Sequence, residues 1–201
     1  MILRQLLCCG LLIVAAQSLH AEPDNDSEAC SAGFRHINDE GYREDYYMAR
    51  TPDCVPGGVR LDTGGLRELI SNRPEAVLID VMAVQDHILP DLERGWIQGE
   101  ERVSIRDSLW LPNVGLGWID DEIRQWFAER LRAYSGGDSA HPLVFYCLQD
   151  CWMAWNAARR AARMGYTAVY WYADGIDVWA EKGLPTERAE PVPLRGNLDD
   201  K

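Results

Sequence analysis

The chain has 201 residues, 47% of them hydrophobic and 26% charged, which is room for one domain of ordinary size with a full core and tails, and a squeeze for two. Its formal net charge is −12, from 32 acidic residues against 20 Lys and Arg. That balance makes nucleic acid and anionic membrane surfaces poor partners and favours solubility.

The first residues, "MILRQLLCCGLLIVAAQSLHAEPD", carry Arg4 as their only charge before an apolar run from Leu6 to Ala16. Small residues follow, with Ala21 at a cleavage point. The pattern predicts a signal peptide over residues 1–21. The apolar run is shorter than the roughly 20 residues that a spanning helix needs, so no membrane span is expected after cleavage. Export to an oxidising compartment such as a bacterial periplasm follows. Cys8 and Cys9 leave with the signal, and Cys30, Cys54, Cys147 and Cys151 remain.

Residues 22–37 begin polar and short of large apolar groups, and are expected to be a flexible N-terminal segment. The folded unit is expected over 38–187, and 188–201 as a polar C-terminal tail with little to bury. Within the unit, "AVLIDV" (76–81), "LVFY" (143–146) and "AVYWY" (168–172) are continuous apolar runs, as in strands buried on both faces.

Helical segments fall between them. "DDEIRQWFAERLRAYSGG" starts on Asp120 and Asp121, spaces Ile123, Trp126, Phe127, Leu131 and Tyr134 helically, and stops at Gly136. "CWMAWNAARRAARMGY" lays alanines on its inner face, puts arginines in its last turns and ends at Gly165. Arg159, Arg160 and Arg163 are expected to complement that helix's C-terminus. "GIDVWAEKGLP" gives a short closing helix. The glycine pairs of "VPGGVRLDTGGLREL" read as turns, because lysine and a strand-to-helix phosphate pattern are both missing.

Strands alternating with helices predict an α/β fold with a parallel sheet covered on both faces. Ligands on such sheets sit beyond the carboxyl ends of strands. Cys147 is the first residue after the run 143–146.

A thiol between a strand end and a helix N-terminus feels the helix dipole and unpaired backbone N–H groups, which favour the thiolate. The thiolate is the nucleophile. Against this, the loop "CLQDCW" has no glycine, and Asp150 brings a negative charge. Free cysteine at a strand end is also common as a small buried apolar residue. Cys151 follows four positions later, which leaves several chemistries open: a nucleophile with a resolving thiol, a dithiol/disulfide couple, a soft-metal clip such as one for Cu(I), or a structural disulfide. A bridge closing so small a loop adds little stability.

Cys30 and Cys54 can form a disulfide closing a long loop that ties down the N-terminal extension. The alternatives are free thiols or a bridge from Cys30 to another chain. His36, His87 and His141 show no metal-ligand spacing.

The order of strand, Cys loop, Ala-rich helix, "GY", strand, Asp-Gly turn, Trp and "GLP" resembles the rhodanese domain, a doubly wound α/β sulfurtransferase superfamily. The matching stretches are Tyr146-Cys147, "AARMGYTAVYWYADGIDVW" (161–179) and "KGLPTE" (182–187). "VLIDV" (77–81) resembles the family's first conserved strand, and "GWIQGE" (95–100) one of its turns. "DCWMAWNAARRAARMGYTAVYWYADGIDVW" and "LWLPNVGLG" (109–117) resemble, more narrowly, the exported proteins named for a CXXCW motif and associated with PQQ-dependent catabolism. Here three residues separate the two cysteines.

The resemblance implies a rhodanese-like doubly wound parallel sheet with helices on both faces. It implies Cys147 as persulfide carrier, Cys151 as resolving or redox partner, Leu148, Gln149, Asp150 and Trp152 as the substrate loop, and Asp80 as a structural acid. No cofactor is implied beyond a cysteine persulfide, with PQQ entering only through a partner enzyme. The implied partners are a periplasmic quinoprotein dehydrogenase or cytochrome c and a small sulfur-containing or thiol substrate. A different class of function is a non-catalytic accessory or chaperone module that binds a soft metal or such a partner.

Overall fold

The computed structural model describes residues 30–87 and 94–195; the predicted signal peptide lies outside the described residues. In chain order the elements are β1 (Val59–Leu61), α1 (Thr63–Asn72), β2 (Val77–Asp80), β3 (Gln85–His87), β4 (Gly95–Ile97), β5 (Arg102–Ile105) and β6 (Leu109–Trp110). Then follow α2 (Asp121–Tyr134), β7 (Leu143–Tyr146), α3 (Trp152–Arg163), β8 (Val169–Tyr172), α4 (Gly175–Glu181) and β9 (Thr186–Ala189).

Five strands form one parallel sheet in the order β1-β8-β7-β2-β6. The expected runs at 76–81, 143–146 and 168–172 are its three inner strands, and β7 is buried at all four positions. Alternation sends their side chains to opposite faces. Ile79, Phe145, Cys147 and Trp171 pack with α2 and α3, while Leu78, Val144, Tyr146 and Tyr172 pack with Leu66 of α1 and with Ile176 and Trp179 of α4. The sheet is therefore doubly wound, with helices on both faces. Each of these large apolar side chains contributes about 1.5–3 kcal/mol through burial.

Local signals set the helix ends. Asp120 caps α2 by accepting from the Ile123 amide at 2.9 Å, and Asp121 and Glu122 sit in the first turn, where the dipole favours them. Among the described residues, no helix is long and apolar enough to cross a membrane.

Three regions differ from the sequence expectation. "VRLDTGGLREL" forms β1 and α1: Asp62 accepts from the Gly65 amide at 2.8 Å, so a side-chain cap starts a helix through a glycine pair. Residues 188–195, expected as part of a polar tail, instead complete the fold. β9 pairs with β5, the Val192 amide donates to the Trp110 carbonyl at 2.9 Å, and Val192 and Leu194 enter the core. Arg160 and Arg163 stand in the last turn of α3 as expected, but Arg159 and Arg160 are buried at 2% exposure each and turn to backbone carbonyls of the N-terminal extension and of the loop after β6.

Candidate active site

β7 ends at the centre of the sheet, and Cys147 follows at its carboxyl end, flanked by β2 and β8. The loop Leu148, Gln149, Asp150 then leads to Cys151 at the N-cap position of α3. The loop is braced from the far side by α4. The Ile176 amide donates to the Cys147 carbonyl at 2.9 Å, and the Gln149 amide donates to Asp177 Oδ1 at 2.8 Å. Gly175, at φ +76°, lies so close that a Cβ there would stand 2.3 Å from the Leu148 carbonyl carbon. Only glycine fits that approach.

The missing loop glycine has a structural substitute. Asp150 takes the left-handed conformation, φ +53°, that glycine adopts without strain. Its carbonyl accepts from the Ala49 amide at 3.0 Å.

Both cysteines are unbridged and buried, Cys147 at 0% and Cys151 at 2% exposure. Cys147 and Cys151, at the two ends of one short loop, act on each other's ionisation. The neighbouring Cys147 thiol is the main reason why the Cys151 pKa falls below the ordinary thiol value, burial opposes the fall, and the amides of Met153, Leu148 and Ala154 support it. No close capping hydrogen bond forms at the sulfur, so the first-turn amides act on its charge rather than closing a cap. Burial raises Cys147 well above the usual range, reinforced by the neighbouring Cys151 and by the Asp80 carboxylate.

The dipole argument that the sequence directed at Cys147 therefore acts on Cys151. The physical reason is position: Cys147 lies before the loop, whereas Cys151 sits at the mouth of α3. The carboxylate that acts on Cys147 is Asp80.

Asp80, at the end of β2, is fully buried and holds Arg102 (NH2 to Oδ2, 2.8 Å), the Ser104 hydroxyl (2.6 Å) and the Met82 amide (3.0 Å). Burial nevertheless raises its pKa. Its role here is to tie β5 and the turn after β2 to the floor of the site.

A strap from the N-terminal extension covers the opposite side. The Trp152 amide donates to the Tyr47 carbonyl at 2.9 Å, Met48 bridges Cys151, and the Thr51 amide approaches Asp150 Oδ1 at 3.4 Å. Trp152 is fully buried beneath this strap, with its indole N–H on the Arg50 carbonyl at 3.1 Å and its ring 5.1 Å from Phe34. Trp155 is equally buried and donates to the Cys54 carbonyl at 2.8 Å. Neither ring offers an exposed face. Cys54 is bonded to Cys30.

Sequence reasoning missed the residues that fasten this strap. Asn156, fully buried, accepts from the Arg43 amide (2.9 Å) and donates to the Arg43 and Gly115 carbonyls (2.7 and 2.8 Å). Arg159 donates to the Gly41 carbonyl, and Arg160 to those of Val114 and Leu116. A signal for Asn156 existed: it is the lone amide in the otherwise apolar run Trp152–Ala158, and a buried amide needs partners.

His36 stacks at 4.8 Å on Tyr46, and His141 pairs with the Glu75 carbonyl; neither reaches the thiols. Among the described residues, no cluster of three or more His, Cys, Asp or Glu is placed to hold a metal.

Residues 63–182, more than half of the chain, match the family model described as the rhodanese-like domain. The chain belongs to the rhodanese-like family. The match spans α1 to just past α4 and so includes the strand, the cysteine loop and the helix that form the site. No curated protein matches the chain significantly. Among solved structures, the polysulfide-sulfur transferase homodimer from Wolinella succinogenes is similar, at 21% identity and a TM-score of 0.40 over 67% of this chain and 80% of that one. The strap over the cysteines, residues 30–54, lies ahead of the matched span.

Proposed function

We propose that this rhodanese-like protein is exported to the periplasm and uses Cys147, with Cys151, for sulfur transfer or thiol/disulfide chemistry. The observation that carries the reading is the placement of two unbridged, buried cysteines at the ends of one short loop, Cys147 at the carboxyl end of β7 and Cys151 at the N-cap of α3, where the first turn favours the thiolate. A buried thiol with a raised pKa is a poor nucleophile alone. A neighbouring thiolate supplies the base it lacks.

In the proposed step, a sulfane-sulfur donor RS–S⁻ presents its terminal sulfur to Cys147. The Cys147 sulfur bonds to it as the Cys147 proton passes to the Cys151 thiolate, and RS⁻ departs, leaving a Cys147 persulfide and a Cys151 thiol. Transfer to an acceptor nucleophile restores the pair. If Cys151 instead loses its proton and attacks the inner sulfur, hydrosulfide leaves and a Cys147–Cys151 disulfide forms. Leu148, Gln149 and Asp150 form the loop that such a donor meets, and Trp152 acts beneath it as packing.

The likeness to the CXXCW-named proteins supports placing this chemistry beside PQQ-dependent alcohol oxidation, with a quinoprotein dehydrogenase or cytochrome c as partner. Incubation of the purified protein with polysulfide, followed by intact-mass and peptide analysis, tests the reading. A one-sulfur adduct on Cys147, lost in Cys147→Ser, is expected; no adduct on either cysteine, with the Cys30–Cys54 bridge intact or reduced, rejects sulfur transfer.

A second reading is favoured by the burial of both sulfurs: an accessory module that holds a soft metal such as Cu(I) between two thiolates in a dry site. One equivalent of Cu(I), bound by the wild type and by neither cysteine variant, would select it.

A further inference from the structure

The chain's two cysteine pairs are covered very differently. Cys147 and Cys151 are sealed, whereas Cys54 is exposed and Cys30 half-buried, and both line a surface cleft of about 520 Å³ with Pro56, Thr167 and Tyr170. A reductant can reach the disulfide while the dithiol stays closed.

The seal over the dithiol belongs to the loop that the disulfide closes. Residues 47–51 run along the cysteine loop through the Tyr47–Trp152, Met48–Cys151 and Ala49–Asp150 contacts. Phe34 packs on Trp152 from the same loop, whose ends, Cys30 and Cys54, are 24 positions apart. The covering stretch lies between two fixed points, the Asn156 clamp on Arg43 and the disulfide at Cys54. Tyr46 (φ +48°) and Asp150 (φ +53°) hold left-handed backbone in this contact, a conformation that non-glycine residues leave when freed.

We propose that the Cys30–Cys54 disulfide is a redox latch that keeps the strap closed over Cys147 and Cys151 and opens the site when an external dithiol reduces it. This deepens the sulfur-transfer reading and rests on it for its purpose. A thiolate of the external dithiol bonds to the sulfur of Cys54, the exposed residue of the pair, and expels Cys30 as thiolate, which takes a proton. The dithiol's second thiolate then attacks its own first sulfur, closing the external disulfide and releasing Cys54, which is protonated in turn. Two electrons and two protons pass from the external dithiol to the latch. Once cut, the covering stretch regains the loop freedom that the cross-link removed.

The test compares the oxidised mature protein with Cys30→Ser/Cys54→Ser. Alkylation by iodoacetamide is followed separately at Cys147 and Cys151 by peptide mass spectrometry, alongside backbone hydrogen exchange. The latch predicts alkylation faster by about ten-fold or more, with protection lost only over residues 30–54 and 147–151. An unchanged alkylation rate overturns it. So does protection lost throughout β2, β7 and β8, which assigns the bond to the fold instead. Sulfur uptake separates the two readings: an open variant that alkylates fast yet takes up no sulfur sinks sulfur transfer and leaves the latch standing. Equal uptake rates by the oxidised protein and the variant overturn the latch and leave sulfur transfer standing.

Discussion

Cys151 sits at the N-cap of α3 and Cys147 four positions earlier at the end of β7, so the first-turn amides favour the thiolate at Cys151 while burial disfavours it at Cys147. Direct consequences for titration follow from the opposite directions of the two shifts. Cys151, with its folded pKa lowered, contributes stability that is present above the unfolded thiol value of about 8.5 and is lost as pH falls through the folded value. Cys147, with its folded pKa raised, contributes stability that is present below about 8.5 and lost as pH rises through its folded value. Thiolate absorbance in the folded protein should therefore show one ionisation below the ordinary thiol range and the second far above it. In Cys147→Ala the first ionisation should move up, because the neighbouring thiol that favours the Cys151 thiolate is gone. Coincident titration of both thiols near 8.5 would contradict the pairing.

Asp80→Asn tests the floor of the site. The substitution keeps the volume but removes the charge that holds Arg102 and that acts on Cys147. A buried pair that loses one partner costs about 3–5 kcal/mol, less here because Arg102 retains some solvent contact. Urea unfolding should show a loss of about 2–3 kcal/mol. In the same variant the Cys147 pKa should fall, which a purely structural role for Asp80 would not produce.

How much of this was readable beforehand depends on the range of the interaction. The runs at Val77–Asp80, Leu143–Tyr146 and Val169–Tyr172 announced themselves because a strand buried on both faces is nearly continuous in apolar residues, with Asp80 ending the first. With them came the parallel sheet and the placement of Cys147 at a strand's carboxyl end. β1 and α1 did not read clearly, since a three-residue edge strand is too short to show a pattern and the pair Gly64-Gly65 at the helix start reads as a turn. The strap was invisible because its anchors span more than 100 positions, as from Arg43 to Asn156, and a lone polar residue does not say which backbone it will hold. The downward shift of Cys151 was missed for a smaller reason. Both cysteines flank the same loop, and four positions decide which one meets the first-turn amides.

Gly175→Ala should act on the cysteine loop without touching either cysteine. The added Cβ meets Leu148 and Gln149 backbone at 2.3 and 2.4 Å, and the positive φ is itself unfavourable for alanine. The loop must shift or α4 must retreat, costing about 2–3 kcal/mol by overpacking and strain. Loss of the Ile176 to Cys147 hydrogen bond should appear as faster amide exchange at Ile176. Wild-type exchange and stability would refute the close approach.

Asn156→Ala removes the clamp that joins the strap to α3 and to the loop after β6. Three hydrogen bonds disappear together, to the Arg43 amide, the Arg43 carbonyl and the Gly115 carbonyl, and all three partners are left in a site that water reaches poorly. An unsatisfied buried group costs about 1–3 kcal/mol, and the three do not add fully because the strap can lift and rehydrate two of them. A loss of about 3 kcal/mol in urea unfolding is expected. The strap's lifting gives a second readout: Tyr47 and Trp152 amide protection should fall before that of β7, and Trp152 fluorescence should shift toward that of a solvated indole. Asn156→Asp separates geometry from hydrogen bonding, because a carboxylate can still accept from the Arg43 amide but cannot donate to the two carbonyls. It should therefore be at least as destabilising as alanine at neutral pH and recover stability on acidification, when the protonated acid regains a donor. A neutral-pH stability equal to wild type in either variant would show that the strap is fastened elsewhere.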